Sequence, residues 1–226
     1  MRIGILGTGI VGQTLGLKLV QLGHAVKLGT RDPTRIDEPK GHDRSVGTLR
    51  DWLARAGPEA GVGSFCDAAE YGELLLNALS GRASLEVLRA VPAEHLSGKT
   101  LMDVSNPVDA SHGFPLTLFV KDTDSLAEIL QRALPDVRIV KTLNTMTAAL
   151  MVNPELVGDG EHTVFICGND AVAKAQVAGL LREFGWRDIV DLGDITGARG
   201  VEMLFTLGHA VMRVLGPAEI AFKVVR

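Results

Sequence analysis

The sequence predicts an α/β protein, built on a Rossmann-type, doubly wound and mostly parallel sheet, with a small α/β C-terminal part that ends in a long helix. Two observations predict this fold class. Short apolar runs rich in β-branched residues alternate with helical patterns along the 226 residues, which is typical of a parallel sheet covered on both faces. The first unit, a strand, a glycine-rich turn, a helix and a second strand, occupies residues 1–28 without interruption.

The turn of this first unit carries the pattern G-x-G-x-x-G over Gly7, Thr8, Gly9, Ile10, Val11 and Gly12. In such a turn the first glycine permits the tight bend, the second lets the backbone approach a pyrophosphate, and the third lets the helix pack closely on the strand. An apolar stripe at helical spacing follows, formed by Val11, Leu15, Leu19 and Leu22. Because a helix N-terminus presents free N–H groups and a positive dipole end, we expect a dinucleotide to bind here.

The later elements follow the same alternation. Strands are expected at residues 25–28, 61–65, 74–79, 100–104, 137–143, 163–167 and 189–192. Helices are expected at 49–56 and at 201–215. Another helix is expected to begin at a capping box of Asp67 and Glu70, and a further one to run from an N-cap at Asp170 to Gly185. Residues 37–46 are charged and lack an apolar period, so we expect them to form an exposed loop.

A soft boundary near residues 145–159 divides the chain, since Asn153-Pro154 and the glycines around Asp159 interrupt the pattern there. We predict that residues 1–145 form the nucleotide-binding domain and that residues 146–226 form a small part that completes the active-site cleft. The last helix has one broad apolar face, which favours core packing or a homodimer interface. A lid over a second substrate is the alternative.

Composition excludes several function classes. A net charge of −4 and 4% aromatic residues predict no nucleic-acid partner. Cys66 and Cys167 lack metal-ligand spacing, so we expect free thiols in a reducing cytosol and no metal. Charged residues interrupt the apolar stretch 201–225, and the first strand starts at the N-terminus, so we expect neither a membrane span nor a signal peptide. The expected location is the cytoplasm.

The end of the second strand favours NADP(H) over NAD(H). NAD-selective sites carry an Asp or Glu there that binds the ribose 2′-hydroxyl, whereas this chain has Thr30 and Arg31. Thr30 offers a hydrogen bond, Arg31 offers charge-assisted bonds to a 2′-phosphate, and Arg35 adds a second charge one helical turn later. In the alternative, Asp32 binds the ribose, but Asp32-Pro33 is better explained as a helix N-cap followed by Pro at the first helical position.

Polar residues follow three of the predicted strands, at the sheet edge where ligands of open α/β proteins bind. They are Ser80 after the fourth strand, Asn106 after the fifth and Asn144 after the sixth. Both asparagines are candidate catalytic or positioning residues that hold the nicotinamide carboxamide or a substrate carbonyl. In the alternative each is a turn residue that hydrogen-bonds its own backbone, and for Asn106 the two interpretations are evenly balanced.

The sequence leaves the roles of Lys141 and Asp103 open. Lys141 lies inside an apolar strand pattern, where a general acid, a structural ion pair or a snorkelling side chain all fit. No histidine has a convincing partner in the sequence, so neither a Ser/His/Asp triad nor metal chemistry is supported. Hydride transfer between two rings depends on placement more than on a proton donor, which makes positioning the expected mechanism.

In their order along the chain these motifs resemble the family of NADPH-dependent deazaflavin (coenzyme F420) oxidoreductases and the related NADPH-binding domain of the STEAP metalloreductases. The resemblance covers nearly the whole sequence. It rests on the glycine turn, Gly29-Thr30-Arg31, Asp103 to Pro107, Val140 to Asn144, Ile166 to Asp170, and Asp191 to Gly193 leading to Arg199 and Glu202. The K-x-x-N-T form at 141–145 is closer to the metalloreductase branch, and it leaves the second substrate open.

The resemblance implies NADP(H) as the cofactor, with Thr8, Gly9, Ile10 and Val11 at the pyrophosphate. It places Thr30, Arg31 and Arg35 at the 2′-phosphate, and Met146 and Ala148 on the nicotinamide side. It further implies a second redox ring stacked over the nicotinamide, and a homodimer.

Residues and resemblance together predict an NADP(H)-dependent oxidoreductase with a diffusible deazaflavin as second substrate. Three alternatives stay open, which are an NADPH-dependent flavin or ferric-flavin reductase, an imine or hydroxyacid reductase, and a non-enzymatic NADP(H)-sensing protein. The imine and hydroxyacid class uses a longer helical C-terminal domain than this chain supplies.

Overall fold

Ten strands and eight α-helices occur in the part of the chain that the computed structural model describes, residues 1–38, 47–216 and 218–226. The strands are β1 (Arg2–Leu6), β2 (Ala25–Thr30), β3 (Ala60–Ser64), β4 (Leu74–Asn77), β5 (Thr100–Asp103), β6 (Val108–Asp109), β7 (Thr117–Leu118), β8 (Arg138–Thr142), β9 (Thr163–Cys167) and β10 (Asp188–Asp191). The helices are α1 (Ile10–Gln21), α2 (Leu49–Ala56), α3 (Phe65–Tyr71), α4 (Gly81–Ala90), α5 (Leu126–Ala133), α6 (Ala148–Val152), α7 (Ala171–Glu183) and α8 (Ala198–Leu215).

Eight of these strands form one sheet in the order β10-β9-β8-β5-β4-β1-β2-β3. From β3 to β8 all neighbours are parallel, and only the β8–β9 pair is antiparallel. The predicted Rossmann-type fold is therefore confirmed. β9 and β10 extend the same sheet, so the boundary predicted near residue 145 coincides with no break between sheets. The division of the chain into two domains at that boundary stays a prediction.

The core consists of two apolar layers, one on each face of the sheet. Trp52 and Trp186 are the largest fully buried side chains. Each indole N–H donates to a backbone carbonyl, that of Gln13 at 2.9 Å and that of Met151 at 3.0 Å. Since buried polar groups need partners, these bonds let the two large rings fill the core and tie α2 to α1 and the segment after α7 to α6.

The capping box predicted at Asp67 and Glu70 is wrong by three residues. β3 passes directly into α3, so Ser64 with its extended backbone (φ −66°, ψ 169°) is the N-cap and Asp67 is the third helical residue. Ser64 accepts from the Asp67 N–H, and Asp67 accepts from the Ser64 N–H. Phe65 accordingly begins the helix instead of ending the strand. α2 has the same device between Thr48 and Asp51.

The helix start predicted at Asp32-Pro33 is also wrong. No helix occurs in described residues 31–38, which form turns. The Asp32 carboxylate accepts from both the backbone N–H and the hydroxyl of Thr34, at 2.9 and 2.6 Å. Such a local bond competes with helix formation, which explains the difference. Of the expected loop 37–46, residues 37 and 38 are exposed and residues 39–46 lie outside the described part.

The other helix predictions agree closely with the structure. α2 has the predicted bounds, α7 begins after an Asp170 N-cap that accepts from the Ala173 N–H at 2.7 Å, and α8 begins three residues earlier than predicted. The sequence patterns did not predict α4, α5, α6 or the small β6–β7 hairpin. No helix of the described residues is both long and apolar enough to cross a bilayer.

Candidate active site

Two glycines of the turn between β1 and α1 are required by the protein's own packing. A Cβ on Gly7, whose φ is +122°, would lie 2.5 Å from the Ala78 carbonyl oxygen. A Cβ on Gly12 would lie 2.1 Å from the Gly7 carbonyl oxygen. Both distances are far shorter than van der Waals contact, so any side chain at either position forces the backbone to move. These glycines give the tight bend and the close helix–strand approach that the motif predicts.

Gly9 is different, because a Cβ there would meet no described atom within 4 Å. The protein's packing therefore gives no reason for a glycine at this position. Gly9 is the N-cap of the twelve-residue helix α1, which has no acidic residue in its first turn. A side chain would extend into the space in front of the free N–H groups of that turn. This arrangement fits a pyrophosphate, whose approach to the backbone needs a bare Cα.

The end of β2 lies beside the glycine turn, where the Gly7 N–H donates to the Gly29 carbonyl at 3.1 Å. Thr30 is buried, with 7% of its surface exposed. Arg31 is exposed and forms no ion pair with another described residue. Its guanidinium is therefore available to an anion at the strand end, in agreement with the predicted 2′-phosphate contact. That role for Thr30 and Arg31 stays a prediction.

Arg35 already has a partner. Its Nε donates to Glu38 Oε1 at 2.6 Å, and its terminal nitrogen binds the second oxygen of the same carboxylate. The bond to Glu38 raises the pKa of Arg35 above its ordinary value. A 2′-phosphate at this guanidinium would have to compete with Glu38, so we expect Arg35 to contribute less than Arg31.

Two clefts open at the carboxyl edge of the sheet. The larger, of about 830 Å³, lies between the glycine turn, the ends of β4 and β5, and α8. The smaller, of about 330 Å³, lies between α1, α6 and α8. The two share the side chains of Val11, Met146 and Phe205. They are therefore adjacent parts of one site with an apolar junction.

Some of the predicted site residues line the two clefts, and others do not, among them Gly7, Thr8, Gly9, Gly12 and Asn144. Those that line the clefts are Ile10, Val11, Ser80, Asn106, Met146 and Ala148. Thr30, Arg31 and Arg35 lie at the end of β2 and line neither cleft. An extended dinucleotide spans both groups, because it places its 2′-phosphate at the second strand and its nicotinamide beyond the glycine turn.

Asn106 and Asn144 bind each other. Asn106 Nδ2 donates to the Asn144 carbonyl at 2.7 Å, and Asn144 Nδ2 donates to Asn106 Oδ1 and to the Val201 carbonyl, both at 2.9 Å. Asn144 is only 2% exposed, and both of its amide hydrogens are used within the protein. It therefore holds α8 at the end of β8. Asn106 is half-buried and lines the larger cleft, which leaves it the better placed of the two for a ligand.

For Lys141 the structure supports the ion-pair interpretation. The side chain is fully buried, and Nζ lies 2.9 Å from an oxygen of Asp103 and 2.9 Å from an oxygen of Glu202. Burial acts to lower the pKa of Lys141, but the two carboxylates outweigh it and raise the pKa above its ordinary value. A charged, fully enclosed ammonium does not reach a substrate in either cleft, so the general-acid interpretation is wrong.

The same network contains residues that the sequence analysis missed. Asp103 also accepts from Asn77 Nδ2 at 2.8 Å, and Asn77 in turn binds Ser84. Glu202 appeared in the sequence only as part of a resemblance. The sequence feature that could have identified Glu202 is a carboxylate on the apolar face of the last helix, next to Val201 and one turn before Phe205.

Phe205 and His209 were also missed as lining residues. The two rings are 4.1 Å apart, and His209 Nδ1 lies 3.1 Å from the Phe205 carbonyl. Both line the smaller cleft. The apolar periodicity of α8 could not distinguish a cleft wall from core. Among the described residues no three His, Cys, Asp or Glu side chains are grouped to hold a metal ion.

Comparison with known proteins agrees with this geometry. Residues 2–107, which contain the glycine turn, Arg31 and Asn106, match the family model described as NADP oxidoreductase, coenzyme F420-dependent. The F420-dependent NADP reductase of Methanocaldococcus jannaschii is 25% identical over 211 residues, which cover 92% of this chain and 90% of that protein.

Metalloreductases are similar as well. Human metalloreductase STEAP2 is 30% identical over 228 residues, which cover 99% of this chain and 39% of the metalloreductase. The chain thus spans less than two fifths of the length of the metalloreductases that it matches.

Among solved structures, a protein from Arthrobacter sp. FB24 that was proposed to be an F420-dependent NADP reductase is 46% identical. It superposes with a TM-score of 0.93 over 100% of both chains. The resemblance inferred from the motifs is confirmed, and the chain belongs to the family of coenzyme F420-dependent NADP oxidoreductases.

Proposed function

We propose that this chain transfers hydride between NADP(H) and a diffusible deazaflavin of the coenzyme F420 type, which binds in the larger cleft. The observation that carries the proposal is the junction of the two clefts. Val11, Met146 and Phe205 form an apolar junction next to the glycine turn. A flat ring stacked on another flat ring needs such walls, because they exclude water and hold the rings face to face.

The chain's own residues supply binding and orientation. The first turn of α1 and Gly9 receive the pyrophosphate, and Arg31 receives the 2′-phosphate. When bound, the nicotinamide supplies the hydride chemistry, and the protein places it. Asn144 and Asn106 hold the ends of β8 and β5 together. Met146, which lies just beyond Asn144, is thereby held in the junction between the clefts.

The larger cleft offers little acid–base chemistry. Among its described lining residues the only ionisable side chains are Arg82 and Asp109, which form an ion pair at 2.7 Å. A hydrogen bond from Ser111, with Arg82 as a smaller influence, lowers the pKa of Asp109 to about 2. Asp109 is therefore ionised at neutral pH and does not act as an acid. A ring acceptor that takes hydride without a side-chain proton donor suits this cleft.

Reduction of a flavin is a second candidate. Two observations favour it, the 30% identity with human metalloreductase STEAP2 over 99% of this chain, and the K-x-x-N-T form at Lys141 to Thr145, which resembles the metalloreductase branch. An isoalloxazine ring has the same flat shape as a deazaflavin, so the junction between the clefts accepts either ring.

We propose that the active form is a homodimer. α8 exposes Leu207, Val214 and Leu215 to solvent at 51%, 84% and 67%. Covering such side chains is favourable, because apolar surface removed from water stabilises an interface. Sizing with light scattering at micromolar concentration should report twice the chain mass of 24.0 kDa, and a monomer contradicts this proposal.

We also place the reaction in the cytoplasm. Cys66 and Cys167 are both free thiols. Reduced cysteines are typical of proteins in a reducing compartment, which supports this location. Fractionation of the source cells tests it.

One experiment tests the function. The purified chain is mixed anaerobically with NADPH and, in turn, with coenzyme F420, FMN, FAD, a ferric chelate with flavin, or a cyclic imine, while absorbance reports the oxidation of NADPH. We expect the highest kcat/KM with coenzyme F420 and a lower rate with NADH than with NADPH. Turnover with a flavin or an imine but not with coenzyme F420 overturns the proposal and identifies the alternative class.

A further inference from the structure

Three ionised side chains form a buried cluster behind the larger cleft. They are Lys141 on β8, Asp103 on β5 and Glu202 on α8, and none is more than 1% exposed. The ammonium lies between the two carboxylates at 2.9 Å from each. No member of this cluster lines either cleft. The mechanism proposed above does not use them, although the cluster joins three separate elements of the site.

One end of the cluster holds the cleft floor. Asp103 Oδ1 accepts from the Ser105 N–H at 3.2 Å and from its hydroxyl at 2.7 Å. Lys141 Nζ donates to the Ser105 carbonyl. Ser105 lines the larger cleft. Three hydrogen bonds between Ser105 and two charged side chains therefore fix the position of this part of the cleft floor.

The other end holds α8. The Glu202 carboxylate accepts from the N–H groups of Leu126 and Ala127 at the start of α5, at 2.8 and 3.1 Å. These bonds and Lys141 leave the carboxylate little freedom. Phe205 follows Glu202 by three residues, so both lie on the same side of α8 about one turn apart. A fixed Glu202 thereby fixes the ring at the junction of the two clefts.

Stability alone does not account for this cluster. Apolar side chains of similar volume often replace a buried ion group without loss of stability. Apolar contacts have no preferred direction, so a helix packed only by them can slide along its neighbour. Charged hydrogen bonds between strand and helix define a single distance between the floor and the ring at Phe205.

We propose that Lys141, Asp103 and Glu202 are positioning residues that set the separation between Ser105 and Phe205, and so determine the affinity for the second substrate without affecting that for NADP(H). The inference rests on the proposed function of the larger cleft. None of the three contacts the glycine turn or Arg31, which explains why the nucleotide is expected to be insensitive to them.

The test uses Glu202→Gln and Asp103→Asn, each of which keeps the side-chain size and leaves one carboxylate to balance Lys141. The control is Arg199→Gln. Arg199 lies on the same helix and binds Glu128 of α5 at 2.6 Å, but it contacts neither the floor nor the cleft. All variants are first checked for native circular dichroism and melting temperature.

Calorimetry then measures two dissociation constants without turnover, that of NADPH, and that of oxidised coenzyme F420 for the protein loaded with NADP⁺. For Glu202→Gln and Asp103→Asn we expect the coenzyme F420 constant to rise about tenfold, because a misplacement of about 1 Å has effects of this size or larger. The NADPH constant should stay within about twofold in all three variants, a change of less than about 0.5 kcal/mol. For Arg199→Gln both constants should remain at the wild-type values.

An unchanged coenzyme F420 constant in either folded variant overturns the proposal, as does an equal rise in both constants. If one variant fails to fold, the other decides. A wild-type protein that reduces a flavin and not coenzyme F420 overturns the proposed function alone, and that flavin then replaces coenzyme F420 in the same measurement.

Discussion

The nucleotide side and the second-substrate side of the site are built in different ways. The glycine turn, α1 and the end of β2 come from residues 2–31, a single continuous segment. The larger cleft shares Val11 with that segment and takes its other walls from four segments that are far apart in sequence, at 78–82, 104–111, 146–151 and 205. Local backbone geometry therefore makes the first half, and long-range packing makes the second.

This difference extends to the forces involved. On the nucleotide side, the absence of side chains at Gly7 and Gly12 shapes the turn. On the second-substrate side, buried charges and amides join β5, β8 and α8. Substitutions on the two sides should therefore have separate consequences, and five predictions test that separation.

The largest effect is expected for Lys141→Met, which leaves two carboxylates buried without their cation. We expect the free energy of unfolding to fall by about 3–5 kcal/mol, as for other buried ion pairs that lose one partner. Denaturant unfolding at pH 7 measures it. A loss below about 1 kcal/mol would match a surface pair and contradict the buried cluster.

The same residue predicts a pH dependence. Because the pKa of Lys141 is raised in the folded protein, its contribution is complete below its unfolded pKa of about 10.4 and is lost as the pH rises through the folded value. The difference in stability between wild type and Lys141→Met should therefore be constant from pH 7 to 9 and shrink above about pH 10.4. A difference that shrinks below pH 9 would argue against the raised pKa.

A comparison of two glycines should separate packing from ligand binding. Gly12→Ala should lower stability by about 1–3 kcal/mol, because its Cβ overlaps the Gly7 carbonyl. Gly9→Ala should change stability by less than about 0.5 kcal/mol. Gly9→Ala should nevertheless lower the affinity for NADPH about tenfold, because the added methyl group blocks the pyrophosphate. Thermal melts and NADPH titrations check both. Unchanged NADPH affinity in Gly9→Ala would remove the pyrophosphate from this turn.

Arg31→Ala should reverse the nucleotide preference. Loss of charge-assisted bonds to the 2′-phosphate should cost about 1.5–3 kcal/mol, or about 10- to 100-fold in NADPH affinity. The affinity for NADH should not change, because NADH has no 2′-phosphate. Arg35→Ala is the matched control and should have a smaller effect, since Glu38 already binds that guanidinium. Equal effects of the two substitutions on NADPH would refute the assignment.

The smallest effect is expected for Phe205→Ala. Loss of its ring contact should raise the KM of the second substrate about fivefold, which corresponds to roughly 1 kcal/mol of stacking. The dissociation constant of NADPH should rise less, because the glycine turn and Arg31 supply most of its contacts. Steady-state kinetics and calorimetry provide the two numbers. If the affinity for NADPH falls as much as that for the second substrate, the two sides of the site are not separable.

Several sequence predictions failed at places where two local patterns competed. Asp67 followed by Glu70 fits a capping box, yet Ser64 is the N-cap because β3 and α3 are joined without a loop. Asp32-Pro33 fits a helix start, yet the Asp32 carboxylate binds Thr34 in a turn. In both cases the aspartate of the pattern does form side-chain hydrogen bonds, but with a residue that the pattern did not indicate.

The candidate site shows the same division. The turn, Arg31 and the polar strand ends could be predicted, because parallel strands bring their carboxyl ends to one edge. The mutual bonds of Asn106 and Asn144 could not, since they join residues 38 positions apart. The apolar face of α8, which includes Phe205, predicted core packing or a homodimer interface, with a lid over a second substrate as the alternative, because helical periodicity identifies an apolar face without showing what covers it.

The sequence by itself determined the fold class, the dinucleotide turn and the preference for a 2′-phosphate, because each depends on residue types within one βαβ unit of about 30 residues. Only the tertiary structure decided that Lys141 is enclosed between Asp103 and Glu202 and that Phe205 lies at the junction of the two clefts. The physical reason is that the partner of a buried charge, and the neighbour of an apolar helix face, are selected by strand order and helix docking.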